Sequence, residues 1–357
     1  MNILEQTYEL NFDKINFNER KKSIDFKNTI IIGPPKSGKS YLIYDYLSTF
    51  DEKEYIYIDF TDYKNEINFT KDDLENFIKK NKIEVLVCEN FDFSIELPQN
   101  LESVILTVQE YRELEGFKIL NVDSLDFEEF LLFDIKHQNS SNSFNSFLKF
   151  GNFPEIIEYP EQKKPTRNLE ICELYCEDKI QKEILFLLIK NAGEKKSIFQ
   201  LFNSLKKEIK ISKDRFYKTC ELFEQNRVVY FCRKFEQPKA VKKIFVYNHA
   251  LLDIVSYKKN FNNLFKNMVY LELNKRYDDI FYLDNIDFYL LKQNEIILAI
   301  PFFNSLLSST IISKLLPMID LYNIQNITIV TINGEQSLFI GDLEALIIPF
   351  NNWGVSL

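Results

Sequence analysis

The amino-acid sequence predicts an α/β protein of two or three domains, the first of which is built on a parallel β-sheet. Two observations carry this prediction. The chain has 357 residues, 45% of them hydrophobic, which exceeds what one compact core needs. Short and almost wholly apolar runs also alternate with helical or polar segments over the first 110 or so residues. Such runs are typical of strands covered on both faces.

The strands of the first domain are predicted from four apolar runs, at residues 28–33, 55–60, 84–90 and 103–109. The apolar spacing predicts a helix at 71–80 and another directly after residue 40. Beyond residue 120 the pattern becomes helical, with a polar stretch at 136–147 that is expected to be flexible. Residues 158–168 are rich in Pro and charge and are predicted to form a linker.

Residues 33–40, GPPKSGKS, match the G-x-x-x-x-G-K-[ST] spacing of a phosphate-binding loop. They lie between a predicted strand and a predicted helix, which is the context such a loop requires. Its backbone N–H groups and the helix dipole would face phosphate, Lys39 would bridge the β- and γ-phosphates, and Ser40 would ligate Mg²⁺. The expected ligands are ATP and Mg²⁺, and the predicted nucleotide-binding residues are Gly33, Pro34, Pro35, Lys36, Ser37, Gly38, Lys39, Ser40 and Tyr41.

Hydrolysis is less well supported by the sequence than binding. ATPases with such a loop place an acidic residue at the end of a neighbouring strand, followed by a Glu that activates water. Here the run VLVCEN offers Cys88 and then Glu89. A thiol is a poor partner for Mg²⁺, which prefers oxygen ligands. Glu89 is the candidate catalytic base, Asp59 or Asp92 could compensate near the metal, and slow or absent turnover is predicted.

Two further roles at a nucleotide site have competing candidates. Thr107 or Gln109, at the end of the next strand, could sense the γ-phosphate, and either could equally be a capping residue. An arginine finger could come from a short list that includes Arg112 and Arg167. The sequence does not choose within either pair.

The middle of the chain reads as three helices, at 179–192, 197–208 and 212–226, followed by two strands, a pattern that predicts a winged helix. Ser197 and Ser212 stand at the expected N-caps. Residues 179–243 contain 17 Lys and Arg against 7 Asp and Glu, although the whole chain has a net charge of −9. The third helix of a winged helix enters the major groove. The candidate DNA contacts are Lys213, Arg215, Lys218, Arg233 and Lys234, with Lys239, Lys242 and Lys243 adding positive charge. The alternative interpretation is a solvated lysine-rich face on a domain that is used only for protein packing.

The order of these features along the chain resembles a family of prokaryotic AAA+ ATP-binding proteins related to archaeal ATPases and STAND regulators. The segments LEGFKILNVDSLDFEEFL (114–131) and FGNFPEII (150–157) are similar to two further family motifs. The resemblance covers nearly the full length. It implies an ATPase domain with a helical lid at 1–165, a winged helix at 166–250, and an α/β restriction-endonuclease-like domain at 251–357.

The last of these domains departs from the nuclease pattern that the resemblance implies. Related PD-(D/E)XK nucleases use a helix Glu, a strand Asp, and a Glu-x-Lys on the next strand to hold metal and aid attack. Glu272 and Asp287 fit the first two positions. Ala299 and Pro301 stand where the Glu and Lys should be. Nuclease activity is therefore not expected.

The remaining features place the protein in a broad class. The chain has no apolar run near the roughly 20 residues that a membrane helix needs, so a cytoplasmic protein with no membrane partner is expected. Its 5 cysteines contain no CxxC pair and are expected to be reduced and mostly structural. The leading hypothesis is a nucleotide-dependent switch that engages DNA or a protein partner. The alternative is a non-hydrolysing adaptor with structural nucleotide, and the oligomeric state is left open.

Overall fold

A computed structural model describes residues 3–8, 10–12, 15, 18–62, 69–99, 101–137 and 139–356. The chain forms two compact units. Unit 1 comprises Met1–Asp123 together with Gln225–Arg227, and unit 2 comprises Ser124–Glu224 and Val228–Leu357. The predicted lid, winged helix and nuclease-like segments thus all lie in unit 2, while the three-domain boundaries themselves stay a prediction.

Unit 1 is built on one five-stranded sheet. Its elements are α1 (Ile3–Tyr8), β1 (Asn28–Ile32), α2 (Lys39–Leu47), β2 (Tyr55–Asp59), α3 (Lys71–Asn81), β3 (Val85–Glu89), β4 (Ser103–Thr107) and β5 (Lys118–Asn121). The strand order is β2-β3-β4-β1-β5, and every neighbouring pair is parallel. The predicted parallel sheet is confirmed.

Each face of this sheet has its own apolar core, because successive side chains of a strand point to opposite faces. Ile56, Ile58, Leu86 and Cys88 pack on one face, with residues of α1 and α3. The other face carries Tyr55, Tyr57, Val85 and Val87 and packs against Leu42, Ile43 and Leu47 of α2. The two-sided burial explains why the strands read as continuous apolar runs.

The edge strand β5 was not predicted. Its sequence, KILN, is four residues long, and Lys118 and Ile119 are exposed. A strand with so little burial lacks the apolar run that marks β1 to β4. Its pairing with β1 comes from tertiary structure, with Ile30 opposite Ile119.

Unit 2 begins with helices that the sequence only partly indicated. They are α4 (Phe127–Phe133), α5 (Ser140–Phe150), α6 (Pro154–Glu158) and α7 (Lys164–Glu173), with a short 3₁₀ turn at Glu161–Lys163. Two predictions are wrong here. The polar stretch at 136–147 supplies most of α5, since Phe144 and Phe147 share a buried face. The predicted linker at 158–168 enters α7, where Lys164 is buried and donates to Ile157 O at 3.0 Å.

The middle of unit 2 contains the three predicted helices and the hairpin. They are α8 (Lys179–Lys190), α9 (Ile198–Leu205), α10 (Lys213–Gln225), β6 (Val229–Lys234) and β7 (Lys243–Val246), and the two strands pair antiparallel. Ser197 caps α9 in a capping box, and Ser212 Oγ accepts from Arg215 N at 3.2 Å. The elements are as expected, and their assignment as a winged helix stays a prediction.

The end of unit 2 completes an eight-stranded sheet that includes the hairpin, in the order β12-β13-β11-β10-β9-β8-β6-β7. The remaining elements are α11 (Leu251–Val255), α12 (Phe261–Asn274), β8 (Ile280–Leu283), β9 (Ile286–Leu290), β10 (Glu295–Ala299), α13 (Ser305–Tyr322), β11 (Asn326–Thr331), β12 (Gln336–Ile340), β13 (Leu343–Pro349) and α14 (Phe350–Ser356). Among the described residues, no helix combines the length and apolar character needed to cross a bilayer.

Candidate functional site

The loop of residues 33–40 leaves β1 and enters α2, as the motif requires. Gly38 is the N-cap of α2 with a φ of 98°, in the left-handed region that favours glycine, and it gives no side-chain cap. At Gly33, an added Cβ would lie 2.0 Å from Val122 O, so the loop passes too close to the backbone for any side chain. Gly38 has no side chain that could accept from the first amides of α2, which is the arrangement of an anion-binding helix N-terminus.

The Lys39 ammonium folds back over this loop. It donates to Gly33 O at 2.7 Å and to Pro34 O at 2.8 Å. The surrounding protein atoms lower the pKa of Lys39 to about 8, and the nearby Glu89 acts in the opposite direction. The cation is therefore held at the loop with weak neutral acceptors, which a phosphate group could replace.

Ser40 and the end of β3 meet through a carboxylate. Ser40 Oγ donates to Glu89 Oε1, and Tyr57 OH donates to Glu89 Oε2. Tyr44 OH lies 3.5 Å from Tyr57 OH. Glu89 is only 7% exposed, and burial raises the pKa of Tyr57 well above its usual value. The Glu89 carboxylate thus accepts one hydrogen bond on each oxygen, one from the loop and one from β2.

Cys88 is not at this site, contrary to the sequence expectation. Its side chain lies in the core on the α1 and α3 face of the sheet, whereas Ser40 lies in the first turn of α2, which packs on the other face. Burial raises the pKa of the Cys88 thiol, which keeps it protonated. The alternation of side chains along β3 therefore makes Glu89, and not Cys88, the residue beside the loop serine.

Asn90 directly follows Glu89 at the end of β3. Its φ is 54°, a left-handed conformation that Asn tolerates well. Asn90 N donates to Thr107 Oγ1 at 2.7 Å, and Asn90 Nδ2 donates to Asp59 Oδ1 at 3.0 Å. Asp59 and Thr107, both predicted near the nucleotide, thus accept hydrogen bonds from Asn90. Asp92 accepts from Ser94 N within its own turn.

Arginine contacts behind the loop were missed by sequence reasoning. Arg20 donates to Ser37 O at 2.6 Å and to Asp123 O at 3.0 Å. Arg227 forms a two-pronged ion pair with the Asp123 carboxylate, at 2.6 and 2.9 Å. Arg20 precedes the motif by more than ten residues and Arg227 follows it by almost two hundred, so no local spacing could have revealed either contact.

The two candidate arginine fingers and Gln109 have other partners. The Arg112 guanidinium lies 4.5 Å from the centre of the Phe93 ring. Arg167, in unit 2, pairs with Glu155 and Glu170. The backbone carbonyl of Gln109 accepts from Asn226 at 2.8 Å. None of these contacts by itself assigns a catalytic role.

The candidate DNA-contacting cations of unit 2 differ in their surroundings. Lys213, Lys218 and Arg233 are exposed. Arg215 pairs with Asp178, and Lys234 pairs with Asp284 at 2.6 Å. Lys243 was expected to add to the basic surface, and that expectation is wrong. It is only 5% exposed and donates to Ile286 O and Asp287 O, at 3.3 and 3.1 Å.

The two acidic positions that resemble nuclease ligands both have internal partners. Glu272 Oε1 accepts from Phe127 N at 3.0 Å, and the side chain is fully buried. Burial raises the pKa of Glu272 to about 7. Asp287 accepts from Lys266 at 2.7 Å and from Ala299 N at 3.2 Å. These contacts tie α12 to α4 and β9 to β10.

No family model matches the chain. An uncharacterized protein of Methanocaldococcus jannaschii is 25% identical over 398 aligned positions, which cover 94% of this chain and 90% of that protein. A Walker-type ATPase of Pyrococcus abyssi has a TM-score of 0.41 and 11% identity over 65% of this chain and 91% of its own. The Orc1 protein of Aeropyrum pernix, solved in complex with DNA, has a TM-score of 0.30 and 10% identity over 66% of this chain and 87% of its own. Values this low carry no conclusion about function.

Proposed function

We propose that this chain binds ATP with Mg²⁺ at the loop of residues 33–40 and uses the nucleotide as a conformational switch. The observation that carries the proposal is the joint placement of three chemical groups at one edge of a parallel sheet. These are an uncapped helix N-terminus at Gly38, the Lys39 ammonium, and the Ser40 hydroxyl directed at Glu89. Ligands of open α/β sheets bind at this edge, outside the carboxyl ends of the strands.

The donor set fits the groups of a magnesium nucleotide. The amides of α2 and Lys39 supply positive charge for phosphate oxygens, and the Ser40 oxygen is the type of hard ligand that Mg²⁺ prefers. Bound Mg²⁺ would supply neutralisation of phosphate charge. Ser40 can keep its hydrogen bond to Glu89 while its oxygen lone pair faces a metal. Glu89 is therefore proposed to orient Ser40, a role different from the catalytic base expected from sequence.

Turnover is proposed to be slow or absent, for a reason the structure supplies. Glu89 already accepts hydrogen bonds from Ser40 and Tyr57, and Asn90, the next residue, carries an amide that cannot take a proton from water. A switch needs only different affinities of two states for ATP and ADP. Slow hydrolysis is compatible with that requirement.

Titration of the full chain with a fluorescent ATP analogue, with and without Mg²⁺, tests the binding proposal. We expect saturable binding that Lys39→Ala weakens at least tenfold. Steady-state hydrolysis should be barely above background. Brisk hydrolysis that Glu89→Gln abolishes and Cys88→Ser leaves unchanged would restore Glu89 as the catalytic base.

Limited proteolysis distinguishes a switch from an adaptor with structural nucleotide. A switch predicts different cleavage patterns with ATP and with ADP. Identical patterns at saturating concentrations of both nucleotides would favour the adaptor.

DNA contact through α10 and the β6–β7 hairpin is a second proposal. It is supported by the exposed Lys213, Lys218 and Arg233, and by exposed aromatic rings of Phe199 and Tyr217 that lie 5.8 and 5.4 Å from the Lys213 ammonium. Contacts to phosphate weaken steeply as salt rises. Retention of duplex DNA at low salt that Lys213→Ala and Lys218→Ala together reduce would support it, and no retention at low salt would refute it.

A further inference from the structure

The hydroxyl of Tyr57 donates a hydrogen bond to Glu89, a contact that packing of the tyrosine ring in the core does not require. Tyr57 is 7% exposed and lies on β2, and its hydroxyl donates to the Glu89 oxygen that Ser40 leaves open. We propose that Tyr57 is a positioning residue of the magnesium–nucleotide site, holding the Glu89 carboxylate so that Glu89 directs the Ser40 hydroxyl toward the metal. This inference rests on the proposed function and adds to it a residue that no sequence motif contains.

The sheet register explains how Tyr57 reaches Glu89. β2 and β3 are parallel neighbours in which Tyr57 is opposite Val87 and Asp59 is opposite Glu89. Because positions two apart share a face, Tyr57 and Glu89 both project toward the α2 side of the sheet. The long tyrosine side chain can therefore reach diagonally to the carboxylate. The Tyr57 ring is held by Phe12, at 5.1 Å between ring centres, and by Tyr44, at 5.8 Å.

The chemistry of metal sites gives this contact a consequence. A metal ligand is oriented by the group that accepts its hydrogen bond, and that group is oriented in turn by its own partners. Here Ser40 is the candidate ligand, Glu89 its acceptor, and Tyr57 the partner of Glu89. Removing the Tyr57 hydroxyl takes away one of the two hydrogen bonds that hold the Glu89 carboxylate in its orientation. Loss of an outer partner of this kind costs about tenfold to a hundredfold in metal affinity.

Tyr55 provides a matched control in the same strand and the same core. It is 2% exposed, belongs to the cluster that contains Tyr57, and its hydroxyl donates to Leu10 O at 3.1 Å. Tyr55→Phe and Tyr57→Phe therefore remove the same atom from two buried rings two residues apart in one strand. A role in packing or in general stability predicts similar effects, whereas a role at the metal predicts an effect of Tyr57 alone.

The test measures the affinity of the full chain for a fluorescent ATP analogue in EDTA and in MgCl₂. For wild type we expect Mg²⁺ to increase affinity. In Tyr57→Phe the affinity in EDTA should be unchanged and the gain from Mg²⁺ should fall about tenfold. Tyr55→Phe should behave as wild type. In a Glu89→Gln background, Tyr57→Phe should have no further effect, since the two changes act on one interaction.

Four outcomes would overturn the inference: a full Mg²⁺ gain in Tyr57→Phe, an equal loss of its affinity in EDTA and in MgCl₂, the same loss in Tyr55→Phe, or additive effects of Tyr57→Phe and Glu89→Gln. If the folded wild type binds no nucleotide, the proposed function is refuted together with the role of Tyr57. If the wild type binds and one of the four outcomes occurs, only the role of Tyr57 is refuted. If Tyr57→Phe does not fold, 3-fluorotyrosine placed at position 57 keeps the hydroxyl. Its fluorine resonance should shift when Mg²⁺ is added to nucleotide-saturated protein, and the same label at position 55 should not; no shift at 57 overturns the inference.

Discussion

The buried Glu272 predicts a specific pH dependence of stability. Its pKa is raised from 4.5 to about 7, chiefly by burial and also by Asp126, while Lys275 and Arg276 act in the opposite direction. Because the folded state holds the proton more tightly than the unfolded state, folding takes up a proton between these two pH values. The contribution of Glu272 to the free energy of unfolding therefore falls as pH rises from 4.5 to 7. At 1.36 kcal/mol per pKa unit, the loss is about 3 kcal/mol.

A second buried group, His249, offsets the pH dependence due to Glu272 in the wild type. Burial lowers the pKa of His249 from 6.5 to about 4, so the unfolded state binds more protons and stability rises between those pH values. The two slopes have opposite signs over most of the same range and similar size. Together these two groups should leave the free energy of unfolding of the wild type nearly independent of pH. In Glu272→Gln, the free energy of unfolding should rise with pH because only His249 then contributes.

Urea unfolding at several pH values between 4.5 and 7.5 measures the difference. Trp353 is the chain's only tryptophan and is buried in unit 2, so its fluorescence reports the unit that contains Glu272. Relative to wild type, Glu272→Gln should gain about 3 kcal/mol across this range, whatever its constant offset at low pH. Glu221→Gln, on an exposed position, is the control. A difference between Glu272→Gln and wild type that does not change with pH would refute the reasoning.

Three other substitutions test local features of the two units. Asn267→Ala removes a side chain that accepts from Val246 N at 2.8 Å and donates to Val246 O at 2.7 Å. Because two buried backbone groups then lose their partner, the free energy of unfolding of unit 2 should fall by about 2 to 5 kcal/mol, measured by urea unfolding. An unchanged urea midpoint would contradict this. Thr70→Ala removes the capping box of α3 and should cost about 1 kcal/mol, measured by circular dichroism during thermal unfolding. Gly33→Ala must displace the loop or Val122 and should weaken binding of the fluorescent ATP analogue at least tenfold; wild-type affinity would show that the loop adapts.

Much of unit 1 could be predicted because its signals are local. Strands β1 to β4 are apolar on both faces, and the residues at 33–40 carry their spacing within one loop. The capping serines of α9 and α10 were found for the same reason, since a cap acts on amides two or three residues away. Such features depend only on residues that are close together in the sequence and on their local backbone conformation.

The sequence by itself determined the strand–loop–helix motif, the parallel sheet and the helices α2, α3 and α8 to α10, because periodicity and loop chemistry depend on consecutive residues. Only tertiary structure decided which side of β3 faces the loop, and hence that Glu89 rather than Cys88 meets Ser40. It also decided that Tyr57 holds Glu89 and that Lys243 is buried. These outcomes depend on strand register and on contacts between residues far apart in the chain, which no short stretch of sequence specifies.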